Sequence, residues 1–208
     1  MSVIEKLASS LGRRDEVPNQ DLAREIATQA DSDAVLELLG LLQHKSKDVQ
    51  NDSIKVLYEI GAVRPDLIAP HLDAFAALLS HKNNRLQWGG MTAIAAITSK
   101  VPDAVYNLLP QILDAAQKGL VITKDNAVLI LIALCRIAKY ETAAFDLLLE
   151  QIQASPDNQL PMYAERALPV APATSKKQFA AVLESRLPEI EKESKRKRLE
   201  KVLKKLAK

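Results

Sequence analysis

Four apolar helix patterns recur along this chain at nearly constant spacing, and no other feature restricts its folding as strongly. Val35, Leu38, Leu39 and Leu42 recur as Leu72, Phe75, Ala76 and Leu79, then as Leu109, Ile112, Leu113 and Ala116. They recur once more as Phe145, Leu148, Leu149 and Ile152; the starts are 37, 37 and 36 residues apart. Spacing i, i+3, i+4, i+7 is one face of an α-helix. A fixed period of this length signals stacked supersecondary units, none of which can bury its apolar face alone.

A second pattern follows each of these first helices. It reads Val49, Ser53, Val56, Leu57, Ile60; then Leu86, Gly90, Ala93, Ile94, Ile97; then Asn126, Ile130, Ala133, Leu134, Ile137; then Leu160, Ala164, Ala167, Leu168, Ala171. Its second position is small in three copies, which lets two helix backbones approach closely. Gly61 is suited to ending a helix, and Pro65, Pro102 and Pro156 punctuate the elements. "VRPDLIAPHL" and "KVPDAVYNLLP" read as a repeated inter-helix turn with a Pro-Asp start. Pro161 fits a first helical turn, whereas Pro169 should break its helix near the end.

The strings "VQNDSIKVLYEIG" and "LQWGGMTAIAAIT", with the Pro-Asp turns after them, resemble the HEAT/armadillo class over roughly residues 34 to 173. The wording is also similar to a group of uncharacterised bacterial HEAT-repeat proteins, which brings no known activity with it. The resemblance implies an all-α, right-handed α-solenoid of antiparallel helix pairs. Four repeats are expected at about 34–66, 67–103, 104–140 and 141–173. A capping helix pair is expected over 1–33, marked by Ile4, Leu7, Ala8, Leu11 and by Leu22, Ile26, Ala30. Capping helices with a basic tail should fill 174–208, where Leu199, Leu203 and Leu206 form a thin apolar stripe.

Charge and composition narrow the functional classes. The net charge is +2, but Lys192 to Lys208 holds nine Lys/Arg against two Glu, a net of +7, which leaves −5 for the rest. A mildly acidic body with a basic tail is not a nucleic-acid-binding body. The longest apolar run, Ala127 to Cys135, is too short to span a bilayer, and the N-terminus does not read as a secretory signal. A single cysteine fits a reducing compartment, so a cytoplasmic monomer or weak dimer is expected. No phosphate-binding glycine loop, His-Glu-x-x-His, Cys-x-x-Cys or nucleophile motif is present. No catalytic residue, metal site or cofactor is expected.

The outward face of the second helices is the candidate binding surface. On a helical wheel it carries Lys55 and Tyr58, then Trp88, then Val128, Ile132 and Cys135, then Met162 and Arg166. Contiguous exposed apolar surface marks interaction sites, and Trp and Tyr are enriched among binding hot spots. The alternative is that "DNAVLILIALCRIAKY" is apolar all round because its neighbours bury it. In solenoids of this class the second helices line the concave surface. The resemblance therefore implies a noncatalytic scaffold gripping a peptide or protein there, with Lys55, Arg136 and Arg166 selecting acidic flanks.

Two further groups stand apart. Asp48, Arg85 and Asp125 precede successive second helices, and HEAT-like arrays often carry an Asp/Arg ladder at such turns. Lys45 and Lys82, in the matching turns "QHKSKDVQ" and "SHKNNRLQ", either complement a helix dipole by ~0.3–1 kcal/mol or form an anion-binding edge with Lys195, Arg196, Lys197 and Arg198. The second functional reading is a nucleic-acid-binding or repair protein using these turns and the tail. It draws on a similarity to the HEAT-like-repeat DNA alkylation glycosylases, with Trp88 and Asp52 as the central aromatic and acid. Gly89, beside Trp88, has no packing role that the repeat explains, so close approach of a partner or of Trp88 itself is open there.

Overall fold

The computed structural model describes residues 2–207, and every regular element among them is helical. After a 3-10 turn at Val3–Lys6 come α1 (Val17–Gln29), α2 (Ser32–Leu41) and α3 (Lys47–Val63). Next are α4 (Pro65–Ile68), α5 (Leu72–Ala76), α6 (Asn84–Ile97), α7 (Pro102–Asn107), α8 (Leu109–Lys118) and α9 (Val121–Cys135). The chain ends with α10 (Glu141–Gln153), α11 (Leu160–Ala167), α12 (Lys176–Arg186) and α13 (Glu193–Leu206). The chain divides into two compact units, one up to Ala127 and one from Val128 on, with the division falling inside α9.

In the first unit α1, α3 and α6 lie side by side, and α2, α4 and α5 form a second layer beneath them. The apolar repeat explains this layering. Val49, Val56, Leu57 and Ile60 of α3 and Leu86, Ala93, Ile94 and Ile97 of α6 are all buried, as are Val35, Leu38, Phe75 and Leu79 opposite them. In the second unit α10 packs on α11 and α12, and α13 packs on α11 and α12. Phe145 and Phe179 meet there edge-on at 5.6 Å.

Local chemistry changes several expected boundaries. The Pro-Asp segments are short helices, α4 and α7, with proline in the first turn, where a missing N–H costs nothing. Pro70 and Pro110 then interrupt the continuation, so the first helix of each of these repeats is broken. Gly61 does not end α3, which runs on to Val63. It is buried, and a Cβ there would lie 2.6 Å from Ile68 Cδ1. Gly89 likewise has a packing role: a Cβ would come within 2.5 Å of Ile54 Cγ1 on α3, while Gly90 faces Phe75 and Leu78 on the other side of α6. Pro169 stops α11 at Ala167. The first capping segment is only the 3-10 turn, and Leu11 is exposed. In α13 the buried stripe is Leu199, Val202 and Leu206, with Leu203 half-buried.

Arginines close two helix ends. Arg64, held by Asp66, donates to the Ala27 carbonyl near the end of α1 (3.2 Å). Arg186 is buried and donates to the carbonyls of Gln153 and Ser155, with Asp157 and Glu189 as its ion partners. Terminal carbonyls have no helical partner of their own, so a guanidinium with several donors can satisfy more than one.

Candidate functional site: a cation-aromatic face in the first unit

α3 and α6 present one arrangement twice. Lys55 precedes Tyr58 by three residues, and Arg85 precedes Trp88 by three, so each cation shares a helix face with its ring. Lys55 Nζ lies 4.9 Å from the Tyr58 ring centroid, and Arg85 Cζ lies 4.9 Å from that of Trp88. The two rings face each other across the helix pair, 5.7 Å apart and tilted by 46°. Both aromatics are half-buried, which leaves part of each ring to solvent. Cation–ring contacts contribute roughly 0.5–1 kcal/mol each when exposed. Gly89 sets the spacing: with only hydrogen facing Ile54, α6 sits close enough to α3 for the rings to meet.

The loop before α1 brings a carboxylate onto both cations. Glu16 Oε2 is 2.9 Å from Lys55 Nζ, and Glu16 Oε1 accepts from Arg85 Nη2. Lys55 also donates to Glu59. The loop is fastened independently: Asp52 accepts from the Ser9 amide (2.7 Å) and from Asn19 Nδ2 (2.7 Å), and Asn19 Oδ1 accepts from the Ala8 amide (3.0 Å). Hydrogen bonds from Lys55 and then Arg85 hold the Glu16 carboxyl below its ordinary range. Burial works to depress the Lys55 ammonium, yet its bonds to Glu59 and Glu16 raise it above its usual value. Burial pushes the Tyr58 phenol up. Glu16 and Lys55 are therefore both charged at neutral pH.

Beside it lies a cleft of about 560 Å³ lined by Arg14, Asp15, Glu16, Asp48, Asn51 and Arg85, among others. Two buried atoms at its wall, Arg85 Nε and Ser9 Oγ, have no hydrogen-bond partner. Arg85 takes a carboxylate from Glu16, which nothing in the repeat pattern suggested. Of the expected ladder, Asp48 lines the same cleft as Arg85, and Asp125 is half-buried on α9.

The structure corrects the outward apolar face beyond α6. Val128 and Ile132 are 1% and 5% exposed, and Cys135 is buried too. The side of α9 that carries Val128, Ile132 and Cys135 is packed inside, so these residues are not surface, whereas Leu129 of the same helix is 38% exposed. Burial pushes the Cys135 thiol up to about 12, far from a nucleophile's range. Met162 is half-buried, and Arg136 and Arg166 are exposed, all in the second unit. Lys55 is also only 5% exposed, an inner support of Tyr58 rather than a surface cation. Lys55, Tyr58 and Trp88 are the predicted residues that come together. The Lys-x-x-Tyr and Arg-x-x-Trp spacing was visible in the sequence as their signal; Glu16 had none.

The basic turns have a local explanation. His44 Nδ1 accepts from the Ser46 amide (3.1 Å) and His81 Nδ1 from the Asn83 amide (3.0 Å), closing the two turns in the same way. Gln50 and Gln87, 37 residues apart, each tie back to a carbonyl at the end of the preceding segment, His44 and Leu79. Lys45 and Lys82 are exposed. In the tail, Lys195 donates to Asn158, Arg196 to the Ile190 carbonyl, Lys197 pairs with Glu193, and Arg198 grips both oxygens of Glu165 (2.8 and 2.6 Å). Asp52, the acid required by the glycosylase likeness, is taken up by Ser9 and Asn19. Among the described residues no group of three or more His, Cys, Asp or Glu is placed to hold a metal ion, and no helix is long and apolar enough to cross a membrane.

No family model matches the chain, and no curated protein is similar to it in sequence. Solved structures do match in fold. An engineered protein superposes with a TM-score of 0.62 at 18% identity, covering 100% of this chain and 97% of its own. Computationally designed armadillo repeat proteins for modular peptide recognition give 0.61 at 16% identity, with 97% of each chain covered. The archaeal HEAT-like repeat protein of Thermococcus onnurineus NA1 gives 0.50 at 14%, covering 93% of this chain and 97% of that one. The chain has a HEAT/armadillo-like α-solenoid fold.

Proposed function

We propose that this protein is a noncatalytic interaction scaffold that holds a peptide or protein segment against the α3–α6 face of its first unit. The observation that carries the reading is the half-exposed Tyr58–Trp88 pair with a cation on each ring. Rigid aromatics lose little side-chain entropy on binding and dominate interface energetics. The fold supports the reading, since armadillo repeats have been designed for modular peptide recognition.

The test is affinity capture from a lysate at two salt concentrations, wild type beside Trp88→Ala, with melting temperatures measured for both. A protein captured at both salts and lost from a folded Trp88→Ala variant is the expected result. Nucleic acid captured only at low salt, with Trp88→Ala unaffected, overturns it, because such binding is driven by phosphate neutralisation.

A further inference from the structure

We propose that Lys55 and Arg85 form a seat for a carboxylate, that Glu16 fills this seat in cis, and that an acidic peptide enters by displacing Glu16. This rests on the binding role given to Tyr58 and Trp88 and adds the partner's chemistry and its gate.

Two cations from different helices converge on one carboxylate, one at each oxygen. Each also lies on a ring of the aromatic pair, so the seat and the apolar shelf are continuous. A ligand with an acidic residue next to an apolar one covers both. Lys55 needs an anion beside it, because its side chain is only 7% exposed and a buried charge must be paired. Glu59 supplies one carboxylate and remains when Glu16 leaves, so Lys55 stays paired while the seat is open to a second.

Glu16 fills the seat incompletely. A guanidinium binds a carboxylate best through two parallel N–H groups, yet Glu16 takes Nη2 and leaves Arg85 Nε buried with no partner. Tethered to the loop before α1, Glu16 must serve Lys55 and Arg85 together. A free ligand carboxylate has no tether and can take both Nε and Nη2 of Arg85. Glu16 can leave at small cost. Its side chain is 45% exposed, and the bonds of Ser9 and Asn19 to Asp52, which fasten this segment to α3, do not involve it. Any ligand must compete with this internal carboxylate, so its apparent affinity is reduced by the closed fraction.

Trp88 is the only tryptophan, so its fluorescence reports on the seat directly in the full chain. The probes are a capped deca-glutamate peptide, a capped deca-lysine peptide, and the quenchers iodide and acrylamide. With Glu16→Gln, deca-glutamate should bind about tenfold more tightly than to wild type, the gain expected when a closed state populated about 90% of the time is removed. Adding Lys55→Met or Arg85→Gln should cancel that gain. Iodide quenching of Trp88 relative to acrylamide should rise about twofold in Glu16→Gln, because the cation on the ring then lacks its neutralising partner. Glu16→Asp, which keeps the charge on a shorter arm, should move both readouts the same way by less. Equal deca-glutamate affinity in wild type and Glu16→Gln, a preference for deca-lysine, or an unchanged iodide-to-acrylamide ratio each overturns the gate. If a captured partner still requires Trp88 under those results, the binding face stands and only the seat falls. If no captured partner requires Trp88, the binding role itself has failed.

Discussion

A methyl group added at Gly89 and one added at Gly40 have opposite fates. Both glycines lie in helices, where alanine is intrinsically better by about 1 kcal/mol. At Gly40 a Cβ meets nothing within 4 Å, so Gly40→Ala should stabilise by up to that amount. At Gly89 it meets Ile54 at 2.5 Å, so Gly89→Ala should destabilise by about 1–3 kcal/mol, and by less when it is made in an Ile54→Ala background. Ile94→Ala, at a position with no exposed surface, should cost about 2–5 kcal/mol. Denaturant unfolding of Gly40→Ala, Gly89→Ala, Ile54→Ala, the Gly89/Ile54 double variant and Ile94→Ala checks these values. Glu16 adds a pH signature. Its folded-state pKa is shifted down by Lys55 and Arg85, so its stabilising effect is present above the ordinary carboxylate range and disappears as pH falls through its lowered value. The stability difference between wild type and Glu16→Gln should therefore shrink to nothing on acidification; an undiminished difference at low pH contradicts the ion-pair account. The effect is small because the carboxylate is half in water.

At the scale of elements, helix ends carry energy that the apolar repeat does not reveal. Arg186→Ala removes the donor that satisfies the Gln153 and Ser155 carbonyls, and should cost about 3 kcal/mol, two unmade bonds to a charged group. Arg64→Ala, which reaches one carbonyl, should cost less, a ranking that thermal unfolding of both variants tests. The sequence was legible where one physical signal dominated. The five second-pattern positions of α3, Val49 to Ile60, and of α6, Leu86 to Ile97, are buried as read, because a 3.6-residue period admits one buried stripe. It misled where two explanations share one signal. A glycine near a helix end serves equally for termination and for close packing, and Gly61 does the latter. An outward apolar face is equally exposed shelf or enclosed core, and Val128 and Ile132 are the latter. Of the candidate site, the aromatic pair was legible and its carboxylate was not. Glu16 precedes Arg85 by 69 residues, and a contact made only by folding leaves no local pattern.

Across the whole molecule, the two units predict local rather than uniform responses to truncation. α13 buries Leu199, Val202 and Leu206 against α11 and α12. Deleting residues 192–208 should raise amide exchange across α10 to α12 and leave α1 to α6 as protected as before, because stacked repeats depend on their neighbours. Exchange rising equally in α3 and α6 would contradict the division. The position of Glu16 has a different kind of consequence. It lies in the loop ahead of α1, outside the stretch whose helices recur. Arrays of this type can lengthen by tandem duplication of the recurring stretch. Such an event would copy Lys55 with Tyr58 and Arg85 with Trp88 but would not copy the Glu16 loop. A lengthened descendant of this protein would inherit one shuttered seat at its N-terminal end and a second, open one further along.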